Sequence, residues 1–170
     1  MPDLTLADVD RIAAEAHAGQ LDKIGVPYIE HPRVVAAGLA PFGVGIQMAG
    51  LLHDVVEDTG ITFHDLANRG VPWTVVDIVQ RVTKRPGVAY REMVETIAGD
   101  YAACLVKISD SAHNSHPDRT AQLPPDKRER LAAKYAQARS ILWPAVPRED
   151  VATILRIVNP SLLGELENLR

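Results

Sequence analysis

The chain has 170 residues, of which 46% are hydrophobic and 24% are charged, a composition that suits one globular domain and excludes long disorder. A net charge of −4 and a pI near 5.8 exclude a general attraction to nucleic acid or anionic membranes, so an anionic ligand needs a local basic cluster or a metal ion. The single cysteine, Cys104, excludes an internal disulfide and a cysteine-based zinc site. With no export signal and no apolar run of about 18 residues, we expect a cytoplasmic protein with no membrane partner.

Apolar residues recur at helical spacing along the chain, and no segment shows sustained β-alternation. Thr5 is a potential N-cap, and Thr62 with Asp65 forms a capping-box variant. The predicted helices cover residues 6–19, 32–39, 46–58, 62–70, 72–84, 90–97, 101–114 and 126–143, with one or two more after Pro147. The pattern therefore predicts an all-α fold, one helical bundle over residues 1–170 with its motifs in about 1–120 and C-terminal helices in about 126–170.

The stretch 50–60, GLLHDVVEDTG, combines two kinds of chemistry on one predicted helix end. At about 100° per residue, an apolar face opposes a polar face of His53, Asp54, Glu57 and Asp58. Three carboxylates lie there without a Lys or Arg among them, so a divalent cation would relieve their repulsion and would take His53 and Asp54 as ligands. The alternative is a solvated acidic face.

Two residues elsewhere extend this candidate metal site. His31 stands at a predicted helix start, and Asp110 lies inside an apolar helix, so that with His53 and Asp54 they form a possible set of two histidines and two aspartates. A buried aspartate without a partner is costly, although Asp110 has the alternatives of pairing with Lys107 or capping a turn. These ligand types, with a position left for water, suit a catalytic Mn²⁺, Fe²⁺ or Zn²⁺ centre.

Other polar residues give weaker signals. Five cations lie in or beside segments that must approach the site if the four ligands converge, and are otherwise surface residues: Lys23, Lys84, Arg85, Lys107 and Arg119. The remaining histidines have no partner that the sequence reveals, so we do not expect them to be metal ligands: His17, His64, His113 and His116. Tyr28 and Tyr90 are candidates to line a pocket, and the KRER run at 127–130 is expected to be a solvated face.

Five segments together resemble the HD superfamily of metal-dependent phosphohydrolases, and more closely the hydrolase domain of RelA/SpoT proteins and the stand-alone small alarmone hydrolases of the MESH type. They are AHAGQ at 16–20, KIGVPYIEHP at 23–32, GLLHDVVEDT at 50–59, VTK at 82–84 and VKISDSAHN at 106–114. The segments follow the family's order, and their combination is more specific than the His-Asp pair alone. The resemblance implies a single HD-domain helical bundle.

The resemblance also implies roles for individual residues. It makes His31, His53, Asp54 and Asp110 the ligands of one divalent cation, usually Mn²⁺. It makes Glu57 and Asp58 the acidic pair that positions or deprotonates the attacking water, and it places Asn114 near the nucleotide. From their positions beside the site, Lys23, Lys84 and Lys107 are the further substrate contacts that we expect, because local cations would neutralise the phosphate charge. The implied reaction is hydrolysis of the 3′-pyrophosphate of ppGpp or pppGpp, a small-molecule substrate, to GDP or GTP and pyrophosphate.

Alternatives remain at this point. The alternative substrates are other nucleotides, such as a 3′-phosphorylated nucleotide, a dNTP or NADPH. The alternative functions are a slow nucleotide-binding sensor and a scaffold with a structural metal. One departure from the family concerns the base: Asp22 occupies the position where many relatives have an arginine that contacts guanine. From the sequence we therefore expect weakened ppGpp recognition and a gain of roughly tenfold in kcat/KM for Asp22→Arg.

Overall fold

The computed structural model describes residues 3–169, which fold into α-helices with three short 3₁₀ turns and one isolated β-bridge between Leu21 and Pro27. The helices are α1 (Leu6–Ala16), α2 (Glu30–Leu39), α3 (Val44–Leu52), α4 (Val55–Asp58), α5 (Phe63–Asn68), α6 (Trp73–Val82), α7 (Tyr90–Ala98), α8 (Tyr101–Asn114), α9 (Pro117–Thr120), α10 (Pro125–Leu142), α11 (Arg148–Val158) and α12 (Leu163–Asn168). The prediction of an all-α fold is confirmed.

Local sequence signals explain where most helices begin. Thr5 and Thr62 each accept a hydrogen bond from the backbone N–H three residues later, and Asp8 and Asp65 return the bond in full capping boxes. Helix α2 begins at Glu30, two residues before the predicted start, so His31 lies inside its first turn. Proline is tolerated in that turn because its missing N–H would have no partner there.

The prediction of one continuous helix over 46–58 is wrong. A turn at His53 and Asp54 separates α3 from α4, although both residues keep dihedral angles in the right-handed helical region. The His53 ring donates from Nδ1 to the carbonyl oxygen of Gly50 at 2.7 Å, which competes for the acceptor that a continuous helix offers to the amide of Asp54. This break directs both side chains inward, whereas Glu57 and Asp58 remain exposed on α4.

The core is formed around α2, α3 and α8, with α1 and α6 packed on α3, and α11 packed on α2 and α8. Helices α2 and α3 approach closely because of Gly50, where a Cβ atom would lie 2.7 Å from Leu39 Cδ1 and 3.1 Å from Ala36 Cα. This contact fixes the position of the His31 turn relative to the His53 break.

The C-terminal third packs over the same core through α10, which contacts α7 and α8. The amphipathic pattern of 126–143 predicts that Leu131, Ala132, Tyr135, Ala138 and Leu142 face inward; the structure buries four of them and leaves Ala132 exposed. Ala132 lies about 100° around the helix from Leu131, which takes it off the stripe. Between residues 3 and 169, none of the helices combines the length and apolarity that a membrane crossing requires.

Candidate metal centre and substrate cavity

Four of the predicted site residues converge from three parts of the fold: the first turn of α2, the α3–α4 break and the second half of α8. His31 Nε2 lies 3.0 Å from Asp110 Oδ1 and 3.7 Å from Asp54 Oδ2. His53 Nε2 lies 2.9 Å from Asp54 Oδ2 and 3.5 Å from Asp110 Oδ1. Among residues 3–169, His31, His53 and Asp54 form a cluster whose ligand atoms all lie within 4.8 Å of one another, which can bind a divalent cation.

The His53 ring tests whether this cluster fits a metal ion. Its Nδ1 must carry the proton, because its partner, the carbonyl of Gly50, can only accept. Its Nε2 is then the free ligand atom, and it is buried with no hydrogen bond of acceptable geometry in the part of the chain described. A buried polar atom left without a partner and facing two carboxylates is the arrangement expected of a metal ligand.

The spacing of the ligand atoms agrees with this interpretation. Two atoms each about 2.1 Å from one ion are about 3.0 Å apart at a right angle and about 4.2 Å apart on opposite sides. The four distances from His31 Nε2 and His53 Nε2 to the two carboxylates run from 2.9 to 3.7 Å, from about the right-angle spacing to less than the opposite-side spacing. The donor set of imidazole and carboxylate suits Mn²⁺, Fe²⁺ or Zn²⁺.

The charges of the cluster also favour a cation. Burial alone would lower the pKa of His53, but the carboxylates of Asp54 and Asp110 raise it well above its ordinary value. For Asp54, burial raises the pKa, but the His53 ring lowers it by a larger amount, so the pKa lies below its usual range. The cluster therefore takes up positive charge, from a proton or from a metal ion.

His113 is a site residue that the sequence analysis missed. Its Nδ1 lies 2.7 Å from His31 Nδ1, and the two rings stack with centroids 5.0 Å apart. Burial and the neighbouring His31 lower the pKa of His113 to about 3, which keeps its ring neutral. His31 Nε2 lies within hydrogen-bond distance of the Asp110 carboxylate, which can only accept. With an ion in place of that bond, the neutral His113 ring would accept a hydrogen bond from His31 Nδ1 and leave Nε2 to the ion. The only signal in the sequence was the spacing of three residues from Asp110, which puts both on one side of α8.

Asp110 has further partners on its own helix. Lys107 Nζ donates to its Oδ2 at 2.7 Å, and Asn114 Nδ2 donates to its Oδ1 at 2.8 Å. The pairing with Lys107, one of the alternatives considered for Asp110, is therefore present together with the approach to both histidines. Burial would lower the pKa of Lys107, but Asp110 raises it above its ordinary value, so Lys107 stays charged.

The two other acids line the same region. Glu57 is held by the backbone N–H of Lys84, which donates to Oε1 at 2.7 Å. Loss of hydration beside the cavity and the carboxylates of Asp54 and Glu57 raise the pKa of Asp58. Tyr28, whose hydroxyl donates to Asp54 Oδ2 at 2.5 Å, connects this acidic side to the loop before α2.

Two cavities that share part of their lining open onto the cluster. The larger has a volume of about 380 Å³, within the range of small-molecule sites. The predicted substrate contacts Lys23, Lys107 and Asn114 line it, together with Tyr28, Asp22, Arg119, Lys134 and Tyr135. The smaller, of about 130 Å³, is lined by His53, Asp54, Glu57, Lys84, Tyr90, Lys107, Asp110 and Lys134, among others. Every site residue expected from the sequence thus lines a cavity or belongs to the cluster, whereas His64 is exposed on α5.

Asp22 does not face the cavity as a free acid. Its Oδ1 accepts hydrogen bonds from the backbone N–H groups of Ile24 at 2.9 Å and Val26 at 3.0 Å, and Arg119 Nη1 donates to its Oδ2 at 3.1 Å. Its side chain is only 4% exposed. The carboxylate therefore closes the 22–26 turn and is neutralised by Arg119, so repulsion between a free Asp22 charge and the phosphates is no reason to expect weakened ppGpp recognition.

The fold and the histidine–carboxylate cluster define an HD-type domain. No protein-family model matches the chain. Among solved structures, a metazoan ortholog of SpoT, which hydrolyses ppGpp and plays a role in starvation responses, matches with a TM-score of 0.74 and 24% identity over 92% of this chain and 96% of that one. At this identity the likeness shows the fold.

Sequence comparison places the chain with RelA/SpoT proteins. It is 34% identical over 168 residues to a probable GTP pyrophosphokinase of Mycobacterium leprae, covering 90% of this chain. It is 33% identical over 144 residues to the bifunctional (p)ppGpp synthase/hydrolase SpoT of Escherichia coli, covering 77% of this chain. The chain spans about a fifth of the length of these curated relatives, 20% in both cases. The chain is thus a RelA/SpoT homologue, as its motifs predict.

Proposed function

We propose that this chain is a metal-dependent phosphohydrolase that removes the 3′-pyrophosphate of ppGpp or pppGpp. The observation that supports this most strongly is the buried, unpartnered Nε2 of His53, which faces Asp54 and Asp110 where a water-activating cation is needed. The homologues of matching sequence include a guanosine-3′,5′-bis(diphosphate) 3′-pyrophosphohydrolase of Haemophilus influenzae, 35% identical over 71% of this chain.

In this proposal His31, His53, Asp54 and Asp110 hold one divalent cation, with Mn²⁺ preferred. When bound, such an ion polarises a phosphoryl oxygen and lowers the pKa of a water molecule. With the ion bound, His113 would accept a hydrogen bond from His31 Nδ1 and leave Nε2 to the ion, and Tyr28 orients Asp54. The Gly50 carbonyl holds His53, and Lys107 and Asn114 hold Asp110, so hydrogen bonds orient the whole donor set.

The remaining residues act on water and substrate. Water adds to the phosphorus bound to the ribose 3′ oxygen, its proton passes to Asp58 or Glu57, and the bond from phosphorus to the 3′ oxygen breaks as the protonated acid returns that proton to the leaving oxygen. Glu57 is preset by the Lys84 amide, and the raised pKa of Asp58 makes it a stronger proton acceptor than an ordinary aspartate. Lys23, Lys84, Lys107 and Asn114 bind the nucleotide and its phosphates.

A slow nucleotide-binding sensor is the main competing function, and another nucleotide is the main competing substrate. The sensor has no use for an acidic pair at the mouth of the metal cluster. Among substrates, the cations on the cavity walls favour an anion with several phosphates.

The test is a Mn²⁺-supplemented screen of ppGpp, 3′-phosphorylated nucleotides, dNTPs and NADPH, with the products identified by mass. We expect GDP and pyrophosphate from ppGpp. Glu57→Gln and Asp58→Asn should each lower kcat by about 10²–10⁴-fold with metal content unchanged, since neither side chain is assigned to the ion. Turnover in both variants equal to that of the wild type would refute their role, and ppGpp left intact while another nucleotide is hydrolysed would refute the substrate.

A further inference from the structure

Lys134 is a cation on the cavity wall that no motif indicated. It lies on α10 next to the buried residue Tyr135, on the part of the helix that faces α7 and α8. Both cavities are lined by it, so it stands at the boundary between them. The C-terminal third of the chain, whose role the sequence left open, therefore contributes directly to the site.

The contacts of Lys134 hold it without neutralising it. Its Nζ lies 4.4 Å from the ring centroid of Tyr90 and 5.6 Å from that of Tyr135, which positions the ammonium group by cation–π attraction. Lys107 and Arg119 on the same walls are paired with Asp110 and Asp22. Lys134 forms no ion pair within the described residues, so its charge is available to a ligand.

The surroundings of Lys134 are positive. Loss of hydration and the charges of Lys107 and Lys23 lower its pKa, and Lys84 acts in the same direction. Like charges held together in this way are relieved by an anion, just as the carboxylates of the metal cluster are relieved by a cation. The smaller cavity is lined by three of these lysines, Lys84, Lys107 and Lys134, and by the carboxylates of Asp54, Glu57 and Asp110, of which Asp110 is already paired with Lys107.

Tyr90 provides an independent observation at the same place. Its hydroxyl is buried and has no hydrogen-bond partner in residues 3–169, although it lies on the wall of both cavities. A buried hydroxyl without a partner is costly, and a phosphate oxygen in the smaller cavity would accept a hydrogen bond from it. At about 130 Å³ this cavity is too small for a nucleoside and suits a phosphate-sized group.

We propose that Lys134, fixed by Tyr90, binds the diphosphate group that the reaction releases, and that the smaller cavity is the site of that group. The nucleoside then occupies the larger cavity, beside Tyr135 and Lys23. This assignment rests on the proposed function for the identity of the anion, but the anion site itself does not require turnover.

The experiment measures the Kd of inorganic pyrophosphate by calorimetry on the metal-free chain, and kcat/KM for ppGpp with Mn²⁺. Lys134→Met removes the charge at similar side-chain length, Lys134→Arg keeps the charge, and Arg156→Ala on α11 removes one positive charge from a residue that lines neither cavity. We expect Lys134→Met to weaken pyrophosphate binding and to lower kcat/KM by about tenfold each, Lys134→Arg to recover part of both losses, and Arg156→Ala to stay near the wild type.

The outcomes separate the two proposals. Absence of pyrophosphate binding by the wild type, equal binding by wild type and Lys134→Met, or equal loss in Lys134→Met and Arg156→Ala would overturn the anion site. Loss of pyrophosphate binding in Lys134→Met alone, without ppGpp turnover by the wild type, would uphold the anion site and refute the proposed function.

Discussion

Asp22 gives the sharpest contrast between sequence and structure. The sequence predicts that Asp22→Arg improves the use of ppGpp, whereas the structure predicts a loss. The substitution removes two hydrogen bonds to loop amides and one from Arg119, and places a second cation beside that arginine. A hydrogen bond to a charged group contributes about 1.5–3 kcal/mol. Because water can replace part of the loss in a surface loop, we expect about 2 kcal/mol of destabilisation.

Thermal unfolding measures this effect directly. For a domain of this size, about 2 kcal/mol corresponds to a fall in Tm of about 4–8 °C. The 22–26 turn precedes Tyr28 and His31 and contains Lys23, so its opening should also lower kcat/KM for ppGpp by about tenfold. Asp10→Arg is the matched control, because it also breaks an ion pair, with Arg33 at 2.8 Å, but Asp10 lines neither of the two cavities at the metal cluster. A rise in kcat/KM for Asp22→Arg with unchanged Tm would refute this account.

The pH dependence supplies a second signature of the same residue. Burial raises the pKa of Asp22, but the amides of Val26 and Ile24 and the Arg119 guanidinium lower it on balance. A carboxyl whose folded pKa is depressed stabilises the fold above its unfolded pKa and loses that contribution as the pH falls. The difference in unfolding free energy between the wild type and Asp22→Asn should therefore stay constant from pH 7 to about 5 and shrink as the pH falls below about 4, the ordinary pKa of an aspartate.

Two further predictions concern the core and the thiol. Gly50→Ala brings a methyl group within 2.7 Å of Leu39 Cδ1, so we expect about 1–3 kcal/mol of destabilisation by chemical denaturation and a weaker metal site; an unchanged midpoint would show that α2 and α3 tolerate the methyl group. Burial raises the pKa of Cys104 to about 12, and its Sγ donates to the Leu142 carbonyl, so an alkylating reagent at pH 8 should modify it only after unfolding; rapid modification of the native chain would contradict this.

Residues whose meaning depends on local sequence were predictable. The caps at Thr5 and Thr62 and the separation of helices by proline and glycine follow from neighbours three or four residues away. The set of His31, His53, Asp54 and Asp110 came from residue type and the resemblance, and the fold brings the four together.

Features that depend on distant partners were not predictable. Helix α3 ends before His53, where the ring bonds to the Gly50 carbonyl. The apolar periodicity of the sequence continues through this position, and no proline or glycine at 53 or 54 marks the break. His113 faces His31, 82 residues earlier, and Arg119 reaches Asp22 over 97 residues. In the sequence, Lys134 is one of several charges on an amphipathic helix. Its contact with Tyr90 becomes visible only in the folded structure.

The most direct test of the central claim is a titration of the metal-stripped chain with Mn²⁺, in which bound ion and release of GDP and pyrophosphate from ppGpp are measured in the same samples. The account predicts that both rise together and level off at about one ion per chain, and that His53→Ala shows neither. Equal release of products with a chelator present, or binding of the ion by His53→Ala as tightly as by the wild type, would contradict it.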